Sequence, residues 1–220
     1  MPSYDPATAL LIVDVQNDFA DPAGSLYVKG GEDVVPLLNR EIDAARAAGA
    51  PVVYTQDWHP ASTPHFEKDG GIWPVHCVQE TWGAELHPGL SAAADAPIVR
   101  KGSNGEDGYS GFTMRDPESG ETMPTELADI LADAGVTRLV VAGLATDYCV
   151  KSTVLDARAK GFPTTVLQHA IRAVDLQQGD GDRAVEEMLV AGALLESRAS
   201  LNRPEASRPV GTGASTEDRG

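Results

Sequence analysis

Three of the five histidines in this 220-residue chain, His59, His65 and His76, lie in one stretch, DWHPASTPHFEKDGGIWPVHC, which opens on Asp57 and closes on Cys77. On an extended segment residues i and i+2 project to the same side, so Asp57 and His59 can reach one ion together. Pro60, Pro64 and Pro74 would fix the loop that brings His65 and His76 round to it. Imidazole nitrogen with carboxylate oxygen suits zinc, iron(II) or manganese better than calcium or magnesium, without choosing among the three. A surface loop rich in His and Pro would have the same composition, but four candidate ligands in one window favour a metal.

A second chemistry is available at Cys149, in LVVAGLATDYCVKSTVLDARAKG. A strand is expected to pass there into a helix with Thr146 or Asp147 as its N-cap. A thiol in the first turn of a helix faces unpaired N–H groups and the positive end of the dipole, which lowers its pKa and favours the thiolate. The same N–H groups can hold a developing oxyanion. Cys77 has no such helix start and fits the inert, buried class. Asp14 ends an apolar run, and a carboxylate there needs a partner, which Lys101 offers if the two strands are neighbours. Cys, Asp and Lys could act as nucleophile, proton shuttle and electrostatic stabiliser, and a structural Asp–Lys pair is the alternative. Gly105, Gly108 and Gly111 match neither the P-loop nor the dinucleotide spacing and suggest a mobile loop at the site. His87 reads as a surface residue and His169 as a hydrogen-bonded structural one.

The elements that must position these groups alternate in type. Apolar runs at 9–13, 51–55, 98–100, 139–142, 164–167 and 193–195 read as strands. Between them helical spacing recurs at Val34, Leu38, Ile42 and Ala45, at Leu127, Ile130, Leu131 and Ala134, over about 147–160, and at Val185, Met188 and Leu189. This pattern predicts an α/β fold with a largely parallel sheet. Ligands bind beyond the carboxyl ends of such strands, where Asp14, Asp57, Lys101 and the loop to Cys149 all fall.

The charge, 17 Lys and Arg against 33 Asp and Glu, gives −16, which disfavours nucleic acid and anionic membranes as partners. No apolar run approaches the roughly 20 residues of a membrane span, and MPSYDP lacks the regions of a signal peptide, so a cytoplasmic protein is expected. Two cysteines do not make a disulfide framework.

Several segments together resemble the nicotinamidase/pyrazinamidase branch of the isochorismatase-like cysteine hydrolases. They are LLIVDVQNDF, DWHPASTPHF, WPVHCVQETWGAELHP, Lys101-Gly102, YSGF and GLATDYCV, spread in the family's order from residue 10 to 150. The resemblance implies a three-layer α/β sandwich over 1–202; from Arg203 on, Val210 is the only sizeable apolar residue, so 203–220 reads as a disordered tail. It implies Asp14, Lys101 and Cys149 as a catalytic triad, and Asp57, His59, His65 and His76 around one divalent transition metal. A cis Leu144–Ala145 peptide would direct the N–H groups of Ala145 and Cys149 at the oxyanion, and Phe19, Trp73 and Tyr109 would line the ring pocket. The implied activity is hydrolysis of nicotinamide, with pyrazinamide as a surrogate, in NAD salvage. The partner is then a small carboxamide, and a homo-oligomer is compatible. A metal-independent hydrolase acting on isochorismate or an N-carbamoyl compound, and a silent binding or scaffold relative, are the alternatives.

Overall fold

A computed structural model describes residues 2–197, so the tail expected over 203–220 lies outside the described residues. In chain order the elements are β1 (Thr8–Val13), α1 (Asn17–Ala20), α2 (Val35–Ala47), β2 (Val52–Asp57), β3 (Ile98–Lys101), β4 (Thr113–Arg115) and β5 (Thr122–Pro124). They continue with α3 (Leu127–Asp133), β6 (Arg138–Leu144), α4 (Lys151–Ala159), β7 (Thr164–Arg172), α5 (Asp180–Val190) and β8 (Leu194–Glu196).

All of β1 is buried, and the alternation of its side chains produces three layers. Leu10 and Ile12 pack in one core with Leu38 and Ile42 of α2. Ala9, Leu11 and Val13 pack in the other with Leu127 and Leu131 of α3, Val154 of α4 and Met188 of α5. A fully buried side chain of this size contributes roughly 1.5–3 kcal/mol, and this apolar frame offsets the cost of the charges buried at the strand ends. Helix α5 forms where expected, but of its three expected apolar contacts Met188 is buried while Leu189 faces outward.

The main sheet runs β3-β2-β1-β6-β7-β8 with every pair parallel. All six expected strands are present. The chain builds outward on one side of β1 and then returns to its other side, so the connections diverge between β1 and β6 and leave a crevice at their carboxyl ends. Val13 pairs there with Gly143, at φ +119°, and a Cβ on Gly143 would lie 2.1 Å from the Val13 carbonyl oxygen. Only glycine lets the two strands meet this closely beside Asp14. Helix α1 and the β4–β5 hairpin have three or four residues per element, too few to show periodicity in sequence. Among the described residues no helix is long and apolar enough to cross a membrane.

Candidate active site

Asp14 leaves β1 at φ +48°, in the left-handed region that Asp tolerates better than most residues. Its buried carboxylate accepts the Thr55 hydroxyl at 2.5 Å on Oδ1 and Lys101 Nζ at 2.8 Å on Oδ2. Strands β1 and β3 are not neighbours, because β2 lies between them. Lys101 therefore reaches past the end of β2, where its register partner is Asp57, and donates to Asp57 Oδ1 at 2.6 Å as well. Its Nζ is also 3.6 Å from Cys149 Sγ. A carboxylate oxygen from each of Asp14 and Asp57 and the Cys149 sulfur all lie within 4.8 Å of one another.

Two carboxylates against one ammonium leave this cluster with one excess negative charge while the thiol keeps its proton. Burial pushes the Asp14 carboxyl up, and Lys101 only partly offsets it. Burial acts the same way on Asp57, but Lys101, His59 and His76 outweigh it and hold that carboxyl well below the usual range. Lys101 stays charged although burial works against it, because both carboxylates face it.

Cys149 does not have the lowered thiol pKa expected of a first helical turn. Burial pushes the thiol well up, Asp14 and Asp57 add to this, and Lys101 opposes it. Neither Thr146 nor Asp147 caps the helix. The turn Thr146–Val150 is a π-turn in which the Ala145 carbonyl takes the N–H groups of Tyr148 and Val150, on either side of Cys149. The Asp147 carboxylate instead accepts the N–H groups of Val174 and Asp175. The Leu144–Ala145 peptide is cis.

Next to this cluster, one ring nitrogen from each of His59, His65 and His76 lies within 4.8 Å of the others. His76 Nδ1 donates to the Pro74 carbonyl at 2.7 Å, and His65 Nδ1 pairs with Asp107 Oδ1 at 2.8 Å, which leaves Nε2 of each ring for an ion. Asp57 Oδ2 is 4.0 Å from Nε2 of both His59 and His76. Both nitrogens of His59 are buried without a hydrogen-bond partner. An unsatisfied buried group costs about 1–3 kcal/mol, and a cation among three imidazoles and a carboxylate oxygen would remove that cost at His59 Nε2, the nitrogen on the Asp57 side. The residues therefore fit a zinc, iron(II) or manganese ion.

Burial lowers the pKa of His76 and brings that of His59 to about 4, keeping the rings in the neutral form that binds metals. A folded pKa below the unfolded value means that the unfolded chain takes up protons first as pH falls. Chelator-treated protein is therefore expected to lose stability between about pH 6.5 and 4, by on the order of 3 kcal/mol from His59 alone, with His76 adding to it and Asp14 opposing it. Thermal melts across that range check this, and a flat profile would contradict it.

Gly102, at φ +76°, lies against the His59 ring, where a Cβ would be 2.6 Å from Nδ1. Gly102→Ala is expected to displace that ring and cost about 2 kcal/mol or more, read by denaturant unfolding.

One pocket adjoins both clusters, with about 370 Å³ of empty space counting the part open to solvent. Phe19, Trp73, Tyr109 and Ala145 line it, together with Asp57, His65, His76 and Cys149. Trp73 Nε1 donates to the Tyr109 hydroxyl at 3.0 Å, and Tyr148 meets both rings edge-on. Tyr148 also lines the pocket and was given no role from sequence, although it stands in the same TDYCV segment. Gln16 was missed too: its side chain clamps Asp57, accepting the Asp57 N–H at 2.8 Å and donating to the Asp57 carbonyl at 2.7 Å. The loop after Lys101, expected to be mobile, is tied by paired backbone bonds between Asp107 and Arg115 and by Thr63 on the Gly105 carbonyl. Cys77 is fully buried with its thiol pushed up by burial, in keeping with an inert role. His87 accepts the Gly89 N–H, whereas His169, expected to be hydrogen-bonded, has its Nδ1 buried without a hydrogen-bond partner and its Nε2 3.8 Å from Glu41, outside the pocket lining.

A parallel sheet covered on both faces, with a buried thiol, carboxylate and lysine at its switch point, defines the class of isochorismatase-like α/β proteins. The chain belongs to the isochorismatase family: the model of the isochorismatase domain matches residues 8–199. It is 41% identical over 210 residues to a nicotinamidase of Escherichia coli (strain K12), covering 88% of this chain and 96% of that protein. A crystal structure of the pyrazinamidase of Pyrococcus horikoshii in complex with zinc is 39% identical, with a TM-score of 0.77 over 87% of this chain and 99% of that one. PnC1 from L. infantum in complex with nicotinate is 35% identical, with a TM-score of 0.80 over 90% of this chain and 97% of that one.

Proposed function

We propose that this chain is a metal-dependent nicotinamidase, converting nicotinamide to nicotinic acid and ammonia in NAD salvage, and that it also accepts pyrazinamide. The observation that carries this reading is one aromatic pocket with Cys149 on its lining beside Asp57, His65 and His76. A planar ring bearing a carboxamide can then be gripped at two points. Asp57, His59, His65 and His76 would hold the ion, which would supply Lewis-acid chemistry at the ring-nitrogen end of the pocket. Phe19, Trp73, Tyr109 and Tyr148 enclose the ring, exclude water and leave its carboxamide at Cys149.

The thiol is protonated at rest, so a base must act first. Asp14, which burial makes more basic while Lys101 supports its ionised form, takes the Cys149 proton as sulfur attacks the carbonyl carbon. The N–H groups of Ala145 and Cys149 hold the oxyanion. As the C–N bond breaks, Asp14 returns the proton to the departing nitrogen, which leaves as ammonia from a Cys149 thioester. Water then attacks the thioester, Asp14 takes one of its protons, the C–S bond breaks, and that proton returns to the sulfur. The E. coli nicotinamidase and the P. horikoshii pyrazinamidase support the amidase activity in this reading.

The test is ammonia release from nicotinamide by purified protein before and after chelation, with zinc, iron(II) and manganese restored separately. Release should stop on chelation and return with at least one metal. Release that survives chelation would favour a metal-independent hydrolase of the family, and none with any metal would sink the proposal.

A further inference from the structure

We infer that Asp107 is a positioning residue that orients His65 directly, and through it supports one face of the His59 ring, and thereby tunes the affinity for the metal. This deepens the proposed function and rests on its metal-site reading.

The three rings are held differently. His76 is fixed by the Pro74 carbonyl two residues away on its own segment. His59 has no hydrogen-bond partner at either nitrogen, and its ring is stacked on His65 at 4.8 Å between centroids and 21° between planes. His65 therefore supports one face of the His59 ring, while Phe66, His76 and Gly102 pack around the rest of it. His65 in turn is held from outside its own segment, by Asp107 Oδ1 at 2.8 Å from Nδ1. With an ionised acceptor at Nδ1, that nitrogen carries the proton and Nε2 is left to face the ion, a charge-assisted arrangement.

Asp107 is itself anchored. Its N–H and carbonyl both pair with the backbone of Arg115, at 2.7 and 2.6 Å, which ties it to the first strand of the β4–β5 hairpin. Its Oδ1 also accepts the Gly108 N–H at 2.8 Å, and Arg115 Nη2 lies 3.4 Å from Oδ2. The hairpin, well removed in sequence from the ligands, thus becomes their outer support.

The experiment measures zinc binding by chelator-stripped wild type, Asp107→Ala, Asp107→Asn, His65→Ala and the Asp107→Ala/His65→Ala double variant, in competition with a chromophoric chelator. Apoprotein melts run alongside. Asp107→Ala is expected to weaken zinc binding roughly 10–100-fold. Asp107→Asn keeps the size and an acceptor but not the charge, and should lose roughly threefold to tenfold. In the His65→Ala background Asp107→Ala should change binding less than about twofold, because its effect runs through His65. A loss of the same size in that background would mean a merely structural role and overturn the inference, as would wild-type affinity in both Asp107 variants. If the Ala variant fails to fold, the Asn variant decides alone. A wild type that binds no zinc would bring down the metal-site reading itself, separately from any effect at position 107.

Discussion

Cys149→Ala is expected to reduce ammonia release from nicotinamide by on the order of 10⁴-fold or more, leaving fold and metal content unchanged. The sulfur is the group on which the proposed thioester forms, and no neighbouring side chain can replace it. Cys77, the other thiol, is buried away from the pocket lining with its sulfur near the Gly83 carbonyl. The substitution removes one buried sulfur beside a pocket already open to solvent, so it should cost little stability. The clean readout is kcat at saturating nicotinamide beside metal analysis and a melting curve. Near-native turnover would refute covalent catalysis at this residue.

Lys101→Met is expected to have the largest effect on stability, because Nζ is the cation shared by Asp14 at 2.8 Å and Asp57 at 2.6 Å. Breaking a buried ion pair from one side costs about 3–5 kcal/mol, since the remaining charge is left in a medium that cannot solvate it. Here two carboxylates lose their partner together. Asp14, already raised by burial, would rise further and fold best in its protonated form. A raised folded pKa gives stability that is present at low pH and lost as pH rises through that value. The deficit against wild type, measured by urea unfolding, should therefore be larger at pH 8 than at pH 5. Equal stability at both would mean that the lysine does not carry the pair electrostatically.

Much of the molecule was legible without coordinates. The six strands declared themselves as apolar runs because a parallel strand buried on both faces has no polar alternation to disguise it. Asp14, Asp57, Lys101 and Cys149 could be assigned to one edge because polar residues ending such runs have few other places to go.

What eluded the sequence depended on neighbours distant in the chain. The missing capping by Asp147 and the raised Cys149 thiol follow from what the fold packs beside them, namely the 174–175 loop in one case and burial with two carboxylates in the other. Asp107 and Gln16 act on His65 and Asp57 across 42 and 41 residues, distances at which no local spacing gives a signal.

Residue types and their order determined by themselves which groups could do chemistry and that they would gather at the carboxyl ends of a parallel sheet, because hydrophobic patterning and strand direction are local properties. Tertiary structure alone decided which groups share a charge. β2 lies between β1 and β3, so Lys101 must cross its end and meets Asp57 on the way to Asp14, joining the thiol cluster to the histidine cluster. Strand order is set by the packing of helices on both faces, and in a buried site it is the distances so fixed, through desolvation and Coulomb interaction, that determine where each proton sits.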